Sequence, residues 1–233
     1  MSILRKWEEL PDYMRCDEVR EYYDILYRKK FSIFIKKLFD YFLGLILIII
    51  LAIPMFIIAI IIKLDSPGPV FYRQDRVTRY GKHFKIHKFR TMVVDADKKG
   101  EAVTIENDNR ITRFGKKIRD YRLDELPQLI DVLSGNMSFV GTRPEAIKYV
   151  EKYKPEYFAT LLLPAGITSE ASIEYKDEAK LLNDAENVDR VYVEEVLSQK
   201  MKYNLYSIKK YSFLSDIKVM FKTFFAVFMK GRK

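Results

Sequence analysis

The chain has 233 residues and a formal net charge of +9. That is room for one domain with appendages, and the basic balance points to an anionic partner: nucleic acid, anionic lipid or a phosphorylated substrate. A single cysteine, Cys16, excludes an internal disulfide and fits a reducing, cytosol-facing body. Two histidines, His83 and His87, are too few for a His/Cys metal site, and their i, i+4 spacing falls in a stretch that reads as strand.

Residues 1–30 are polar and aromatic, with an apolar stripe at Val19, Tyr22, Tyr23, Leu26 and Tyr27. The spacing predicts a short amphipathic helix that feeds the next segment. That segment, YFLGLILIIILAIPMFIIAIII at 41–62, carries no charge over 22 residues. A bilayer-spanning helix needs roughly 20 apolar residues. The run is too long, and too far along the chain, for a cleavable signal. Both of its flanks are basic: Arg28, Lys29, Lys30, Lys36 and Lys37 before, and Lys63, Arg73, Arg76, Arg79, Lys82, Lys85 and Lys88 after. Both ends therefore favour the cytoplasm. Pro54 removes a backbone donor near the middle and kinks or breaks a helix. A helix–break–helix entering and leaving by one face, and a tilted single span with a proline kink, both fit these residues.

SPGP at 66–69 is turn chemistry. PVFYRQDRV and KHFKIHKFRTM read as two strands joined through TRYGK, with Gly81 in the turn. Residues 95–109 read as a polar loop. They hold two strings, Asp95-Ala-Asp97 and Asn107-Asp108-Asn109, like those that hold divalent metal in some glycosyltransferases; a solvated loop is the plainer expectation. ITRFGKKIRDY reads as a basic helix. LDELPQLIDVL reads as another, with Leu123, Leu126, Leu129, Ile130 and Leu133 on its apolar face and Ser134-Gly135-Asn136 as its stop. Pro127 belongs in a first turn, which places the helix start near 123–125 and puts Asp124 and Glu125 at its positive end. Simple capping explains one acid. It does not explain the cations around the pair: Lys116, Lys117, Arg119 and Arg122 before, Arg143 after. Carboxylates set in a cluster of cations suit a place where a phosphate diester is attacked or held with Mg²⁺.

The charged stretch at 174–203 has a helical pattern. In the last stretch, Phe213, Leu214, Ile217, Met220, Phe221, Phe224, Phe225 and Phe228 gather on one helix side, with Lys218, Lys222 and Lys230 among them. An interfacial helix is expected there rather than a second span, since Lys222 would sit in the middle of one; a core helix of the soluble body is the plainer alternative.

KKLFDYFLG, the apolar run with its central proline, SPGPVFYRQDRV, GKHFKIHKFRTM, LDELPQLIDVLSGNMSFVGTRPE and PAGIT together resemble, in order, the landmarks of the bacterial sugar transferase family, the monotopic polyprenyl-phosphate phosphoglycosyl transferases. The resemblance covers residues 36–168. It implies an α+β, mostly helical, monotopic membrane protein with one re-entrant proline-kinked helix, a small β-hairpin and amphipathic interfacial helices. The expected divisions are an N-terminal amphipathic extension at 1–35, the re-entrant helix at 36–63 with its break at Pro54, a catalytic core at 64–170 and a helical region at 171–233.

The resemblance further implies transfer of a sugar-1-phosphate from a UDP-sugar to polyprenyl (undecaprenyl) phosphate with release of UMP, at the cytoplasmic face of the bacterial membrane, as the first step of cell-surface glycan synthesis. The partners are then donor, acceptor and membrane lipid, with no nucleic acid; a homo-oligomer is left open. Asp124 is the implied nucleophile and Glu125 its support, the two also serving as Mg²⁺ ligands. Arg143 and Arg119 are the implied phosphate-binding arginines. Lys88, Arg90 and Arg76 are further candidates for substrate contact. Three departures stand out. Ile53 replaces the family's usual serine before the proline, and Thr78 stands where a glycine is usual. The text after Thr168 lacks the family's Gln-Val-x-Gly-Arg string, leaving Lys176 as the substitute for a donor-contacting arginine.

Rival readings are a basic membrane adaptor, a Rossmann-type glycosyltransferase and an inactive family member. An adaptor needs no acids inside its basic patch. A Rossmann fold needs repeated strand–helix units that are not seen. The departures after Thr168 are what an inactive member would rest on.

Overall fold

A computed structural model of the chain describes residues 3–96, 108–175 and 187–230. The expected amphipathic helix is α1, Asp17–Arg28. Val19, Tyr22, Tyr23 and Leu26 bury as one stripe, while Tyr27 stays exposed. The stripe does more than feed the next segment. With Leu4, Leu10 and Met14 it packs against Leu161, Leu162, Leu205 and Ile208, so the N-terminal residues complete a core of the body.

Helix α2 runs from Lys30 to Asp65, 36 residues, about 54 Å at 1.5 Å per residue. Pro54 lies inside it and helix continues on both sides, so the expected break does not divide it into two helices. Its start at Lys30 also places the expected 35/36 boundary within the helix. The apolar run is long enough to cross a membrane, and only 11% of its most apolar window is buried in the protein. Ile49, Ile50, Ile53, Phe56 and Ile57 point outward. An uncovered apolar face of this extent marks a membrane-associated helix rather than the core helix of a soluble body.

The two expected strands form an antiparallel hairpin, β1 (Phe71–Val77) and β2 (His83–Phe89). Gly81 takes φ +74° in the turn, and a Cβ there would collide with the Tyr13 hydroxyl, so the turn and the N-terminal segment close on each other only through glycine. Helix α3, Arg113–Asp120, is capped by the Thr112 hydroxyl, which accepts from the Gly115 amide at 3.0 Å.

LDELPQLIDVL is not one helix. Leu123–Glu125 is a separate 3₁₀ turn, and α4 spans Gln128–Leu133 with Pro127 as its cap. The proline starts the helix three to five residues later than expected, and the two acids precede it. Ile130 is exposed and Val132 takes its place on the buried face. A pair of short parallel strands follows, β3 (Met137–Val140) and β4 (Ala165–Thr168). They are joined through α5 (Ile147–Val150) and a 3₁₀ stretch at Pro155–Leu162. Thr78, one of the departures, ties the hairpin to this pair: its hydroxyl donates to the Asn136 carbonyl at 2.6 Å and accepts from the Ala165 amide at 3.1 Å.

Helix α6 is Glu170–Glu174. From Val188 the chain is helical to Lys209, as α7 (Val188–Val191), a π-helical stretch (Tyr192–Leu197) and α8 (Ser198–Lys209). The last helix, α9, is Phe213–Lys230. It buries Val219 against the body and leaves Leu214, Phe221, Phe224 and Phe225 exposed. Phe228 lies outside the described side chains.

The segment carrying the acids is fixed from two sides. Leu123 and Leu126 pack with Ile58 and Ile62 of α2, and Leu129 and Val132 pack with Leu43, Leu47, Ile48 and Leu51. On the other side β2 reaches it through Lys88–Glu125 and His87–Asp131. The acids therefore sit between the membrane helix and the hairpin.

Candidate active site

Arg122, immediately before the 3₁₀ turn, adopts left-handed backbone (φ 57°, ψ 19°), which costs a non-glycine residue on the order of 1 kcal/mol. That reversal presents Asp124 and Glu125 together, each 8% exposed. Glu125 is surrounded by cations. Arg143 donates to it through Nη2 at 2.7 Å and Nη1 at 3.4 Å, one nitrogen to each oxygen. Lys88 Nζ lies at 3.1 Å and Arg122 Nη1 at 3.7 Å. Burial alone would raise the Glu125 pKa, but the charges of Arg143, Lys88 and Arg122 outweigh it and hold the carboxyl well below its usual range. Asp124 has no hydrogen bond or ion pair among the described residues. Burial raises its pKa and the Glu125 charge adds to this, against the more distant Lys88, Arg119 and Arg122. Two adjacent acids are thus pushed in opposite directions by their surroundings, the pattern that separates chemical roles in a pair. Glu125 is a fixed counter-ion. Asp124 keeps its oxygen lone pairs uncommitted.

The candidate cations divide into groups. Arg143 and Lys88 touch the pair directly. Arg119 does not, but burial lowers its pKa while the Asp124 charge opposes that, and Nη1 donates to the Thr91 hydroxyl at 3.4 Å. Arg76 is half-buried beside Arg143 and Glu145; desolvation lowers its pKa and the Glu145 charge works against it. Arg90 has a different task. It donates to the Ser66 carbonyl at 2.7 Å, to that of Ile62 at 3.4 Å and to that of Pro67, closing the last turn of α2. Lys116 and Lys117 are exposed on α3. Lys176, Asp97 and Asn107 lie outside the described residues. Of the strings read as metal-holding, Asp108 is buried and paired with Arg110 at 2.6 Å. His83 and His87 lie on one strand, as expected.

Sequence reasoning missed two groups beside the pair. Asp131, 1% exposed, accepts from the His87 amide and contacts His87 Nδ1, both at 2.8 Å, and so pins β2 to α4. Gln128 is equally buried, and both of its amide atoms lack partners among the described residues. The available signal was a polar residue at a position where helical spacing asked for an apolar one.

Magnesium takes hard oxygen ligands, commonly one or two carboxylates plus substrate phosphates. Among the described residues no three His, Cys, Asp or Glu side chains gather into a metal cage. Asp124 offers uncommitted oxygens, whereas those of Glu125 are engaged by Arg143 and Lys88. The donor set fits an ion that arrives with a phosphorylated ligand and meets Asp124.

Residues 31–230 match the family model described as bacterial sugar transferase. The chain belongs to the bacterial sugar transferase family. Among curated members it is 36% identical, over 76% of its own length and 41% of the relative's, to a UDP-N-acetylgalactosamine-undecaprenyl-phosphate N-acetylgalactosaminephosphotransferase of Aeromonas hydrophila. It is 34% identical, over 84% of its length and 40% of the relative's, to a UDP-glucose:undecaprenyl-phosphate glucose-1-phosphate transferase of Escherichia coli. It is 33% identical to an exopolysaccharide production protein of Rhizobium leguminosarum, over 85% of its length and 97% of the relative's. The chain thus spans less than half of the two longer bacterial sugar transferases and nearly all of the third. The family match begins at residue 31, so the N-terminal residues that complete the first core precede it.

Proposed function

We propose that this bacterial sugar transferase moves a sugar-1-phosphate from a UDP-sugar to undecaprenyl or a similar polyprenyl phosphate, through a covalent intermediate on Asp124. The observation that carries the reading is the asymmetry of the pair: a buried carboxylate with uncommitted oxygens beside one neutralised by three cations. A carboxylate is an effective covalent nucleophile in phosphoryl chemistry. An Asp124 oxygen attacks the β-phosphorus of the donor. The bond from that phosphorus to the bridging oxygen breaks, and UMP leaves with the oxygen and its electron pair. A polyprenyl phosphate oxygen then attacks the aspartyl phosphorus, the Asp124 ester bond breaks, and the carboxylate is restored. The products are UMP and a polyprenyl-diphosphate sugar.

An anion attacking a diphosphate needs its charge met by fixed cations. Arg143, with its planar fork, Lys88 and Arg119 are placed to do this, and Arg76 backs Arg143. Glu125 keeps Arg143 and Lys88 in place between turnovers. A magnesium ion brought with the donor and held by Asp124, with Glu125 beside it, would neutralise diphosphate charge.

The same reading places the protein at the cytoplasmic membrane surface, monotopic and with α2 re-entrant. What supports this is that α2 packs along its apolar length on the body that carries the charged site. The relatives' names specify UDP-N-acetylgalactosamine and UDP-glucose, so the test is a panel of UDP-sugars. Protein in nanodiscs with Mg²⁺ is expected to turn over one donor, with continued UMP release, only when polyprenyl phosphate is present, and to release a single stoichiometric burst of UMP in its absence. The burst should vanish in Asp124→Asn. Full turnover by that variant would end the nucleophile assignment, and silence across the panel in folded protein would end the reaction assignment.

A further inference from the structure

Arg143, Pro144 and Glu145 are consecutive, and the first of them reaches Glu125. The peptide that carries them is held from two directions. On its backbone, the Val77 amide donates to the Glu145 carbonyl at 3.1 Å, and Arg76 Nη1 donates to the Pro144 carbonyl at 3.4 Å. On its side chain, Glu145 points away from solvent, 6% exposed, into the helical region beyond residue 187. There Tyr192 Oη donates to the Glu145 carboxylate, 2.9 Å from each oxygen. Lys200 Nζ donates to Tyr192 Oη at 3.4 Å and lies 3.9 Å from Glu145 Oε1. Tyr192 and Lys200 are 3% and 4% exposed.

Two features indicate that this cluster has a positioning task. The first is helix geometry. Tyr192 and Lys200 are eight residues apart, and at about 100° per residue a regular α-helix would turn them about 80° away from each other. The π-helical stretch Tyr192–Leu197 lies between them. A π-bulge takes up one extra residue, which leaves the equivalent of seven steps and brings the two side chains to within about 20° of one face. The irregular turn is what lets both reach one carboxylate. The second is energetic. The cluster sits among Tyr149, Tyr153, Val196, Leu197 and Met201, and a buried ion pair adds little stability over apolar residues of similar volume. Fixing one register of the 143–145 peptide accounts for keeping it.

We propose that Tyr192 and Lys200 are positioning residues for the phosphate-binding arginines Arg143 and Arg76, acting through Glu145. The inference rests on the proposed reaction, in which those arginines hold the diphosphate of the donor. With Tyr192 or Lys200 altered, Glu145 loses its anchor, the 143–145 peptide gains freedom, and Arg143 meets the donor in a less prepared geometry. Asp124 and the 3₁₀ turn that presents it are untouched, so the larger part of the loss falls on donor binding.

The experiment is steady-state UMP release in nanodiscs with the donor varied at saturating polyprenyl phosphate. It compares wild type, Tyr192→Phe, Lys200→Met, Arg143→Lys and the double variant Tyr192→Phe/Arg143→Lys, with thermal melts of each. Tyr192→Phe and Lys200→Met are expected to raise the donor KM about fivefold, the size of one ordinary hydrogen bond lost, with kcat within about twofold. Because Tyr192 acts through Arg143, Tyr192→Phe is expected to add little once Arg143 is already Lys, a non-additivity that a general loss of stability does not produce. Should Tyr192→Phe fail to fold, Lys200→Met and its combination with Arg143→Lys carry the same test. Unchanged KM in active Tyr192→Phe and Lys200→Met, or a KM effect that multiplies fully with that of Arg143→Lys, overturns the inference. Wild-type protein that releases no acceptor-dependent UMP overturns the reaction itself, a distinct failure.

Discussion

Asp124 lies buried without a hydrogen bond among the described residues, so its ionised form is disfavoured in the fold, and its raised pKa expresses that. The stabilising share of such a group is present below its unfolded pKa of about 3.9 and is lost as pH rises through the folded value. At neutral pH the carboxylate therefore works against folding. Asp124→Asn is expected to abolish turnover yet raise the melting temperature at pH 7 by about 2–4 °C, the equivalent of ~1 kcal/mol in a chain of this size. With EDTA present, the gain over wild type should shrink as pH falls through the folded value and vanish below the unfolded value of about 3.9. A melting temperature that falls at pH 7 would contradict the burial argument. Glu125 has the opposite sign. Its depressed pKa gives stability that is present above about pH 4.3 and fades as pH falls through the folded value. Glu125→Gln leaves Arg143 and Lys88 without their counter-charge, and is expected to cost about 3 kcal/mol, the low end for breaking a buried pair because both cations keep some solvent. Two substitutions one residue apart that move the melting temperature in opposite directions would be difficult to explain without the asymmetric site. The pair, and Arg119 and Arg143 around it, were legible in the sequence because acids inside a basic run are unusual. The division of labour was not legible, since it depends on which oxygens the arginines reach across a fold. Nor was the task of Arg90, whose partners are the backbone carbonyls of Ile62 and Ser66 at the end of α2.

At the scale of elements, the seam between α2 and α4 decides where the pair is held. A Cβ at Gly44 would lie 3.3 Å from Leu133 Cδ2 and 3.5 Å from Val132 Cγ1, so the helices meet at this point through a residue with no side chain. Gly44→Leu inserts four carbons there, and overpacking of this kind costs about 1–3 kcal/mol. The strain is relieved most readily by moving the six-residue α4 away from the much longer α2, which carries the 3₁₀ turn and Asp124 with it. We expect at least a tenfold fall in kcat with membrane association intact, because the outward face of α2 is unchanged. Flotation on liposomes and UMP release measure the two parts, and wild-type kcat would refute the seam as a positioning element. The hairpin, α1 and α3 were readable because their residues show period 2 or 3.6 and end at Gly81 or at a capping threonine. The parallel pair β3–β4 was not. Each strand has four residues, and β3 is buried on both faces, so no alternation betrays it. Its partner lies across α5 and a 3₁₀ stretch, and the close approach of Gly141 and Gly166, where a Cβ on Gly166 would fall 2.2 Å from the Gly141 nitrogen, is invisible without the fold. The N-terminal residues were readable as a helix but not as core, because the partners Leu161, Leu162, Leu205 and Ile208 stand more than 130 positions away.

The whole molecule poses a conflict between α2 and the body it touches. The apolar run is long enough to span roughly 30 Å of hydrocarbon. Yet one of its faces is lined by the body nearly end to end: Leu43, Gly44, Leu47, Ile48 and Leu51 against α4 and its neighbours, then Met55, Ile58, Ala59 and Ile62 against Phe89, Ile118 and Leu123. Before the run, Lys36 pairs with Asp216 of α9 at 2.8 Å; after it, Arg90 holds the carbonyls of Ile62 and Ser66. A perpendicular span would draw this body, with Asp124, Glu125, Lys88 and Arg143, to mid-membrane depth, where each charge costs about 2.5–3.5 kcal/mol or more. If instead both ends of α2 stay on the side of the body, its outward face and the exposed aromatic residues of α9 enter the lipid together while the charged site remains at the surface. The net charge of +9 then lies against anionic headgroups. Single cysteines placed at Lys30 and Asp65 in a Cys16→Ser background test this in inverted and right-side-out membrane vesicles with a membrane-impermeant maleimide. Both positions are expected to label from the cytoplasmic side alone, and to equal extents. Labelling of one of them only from the opposite side would establish a span, and the body would then have to leave its seat along α2, which the contacts of Leu129, Val132 and Leu126 with that helix oppose.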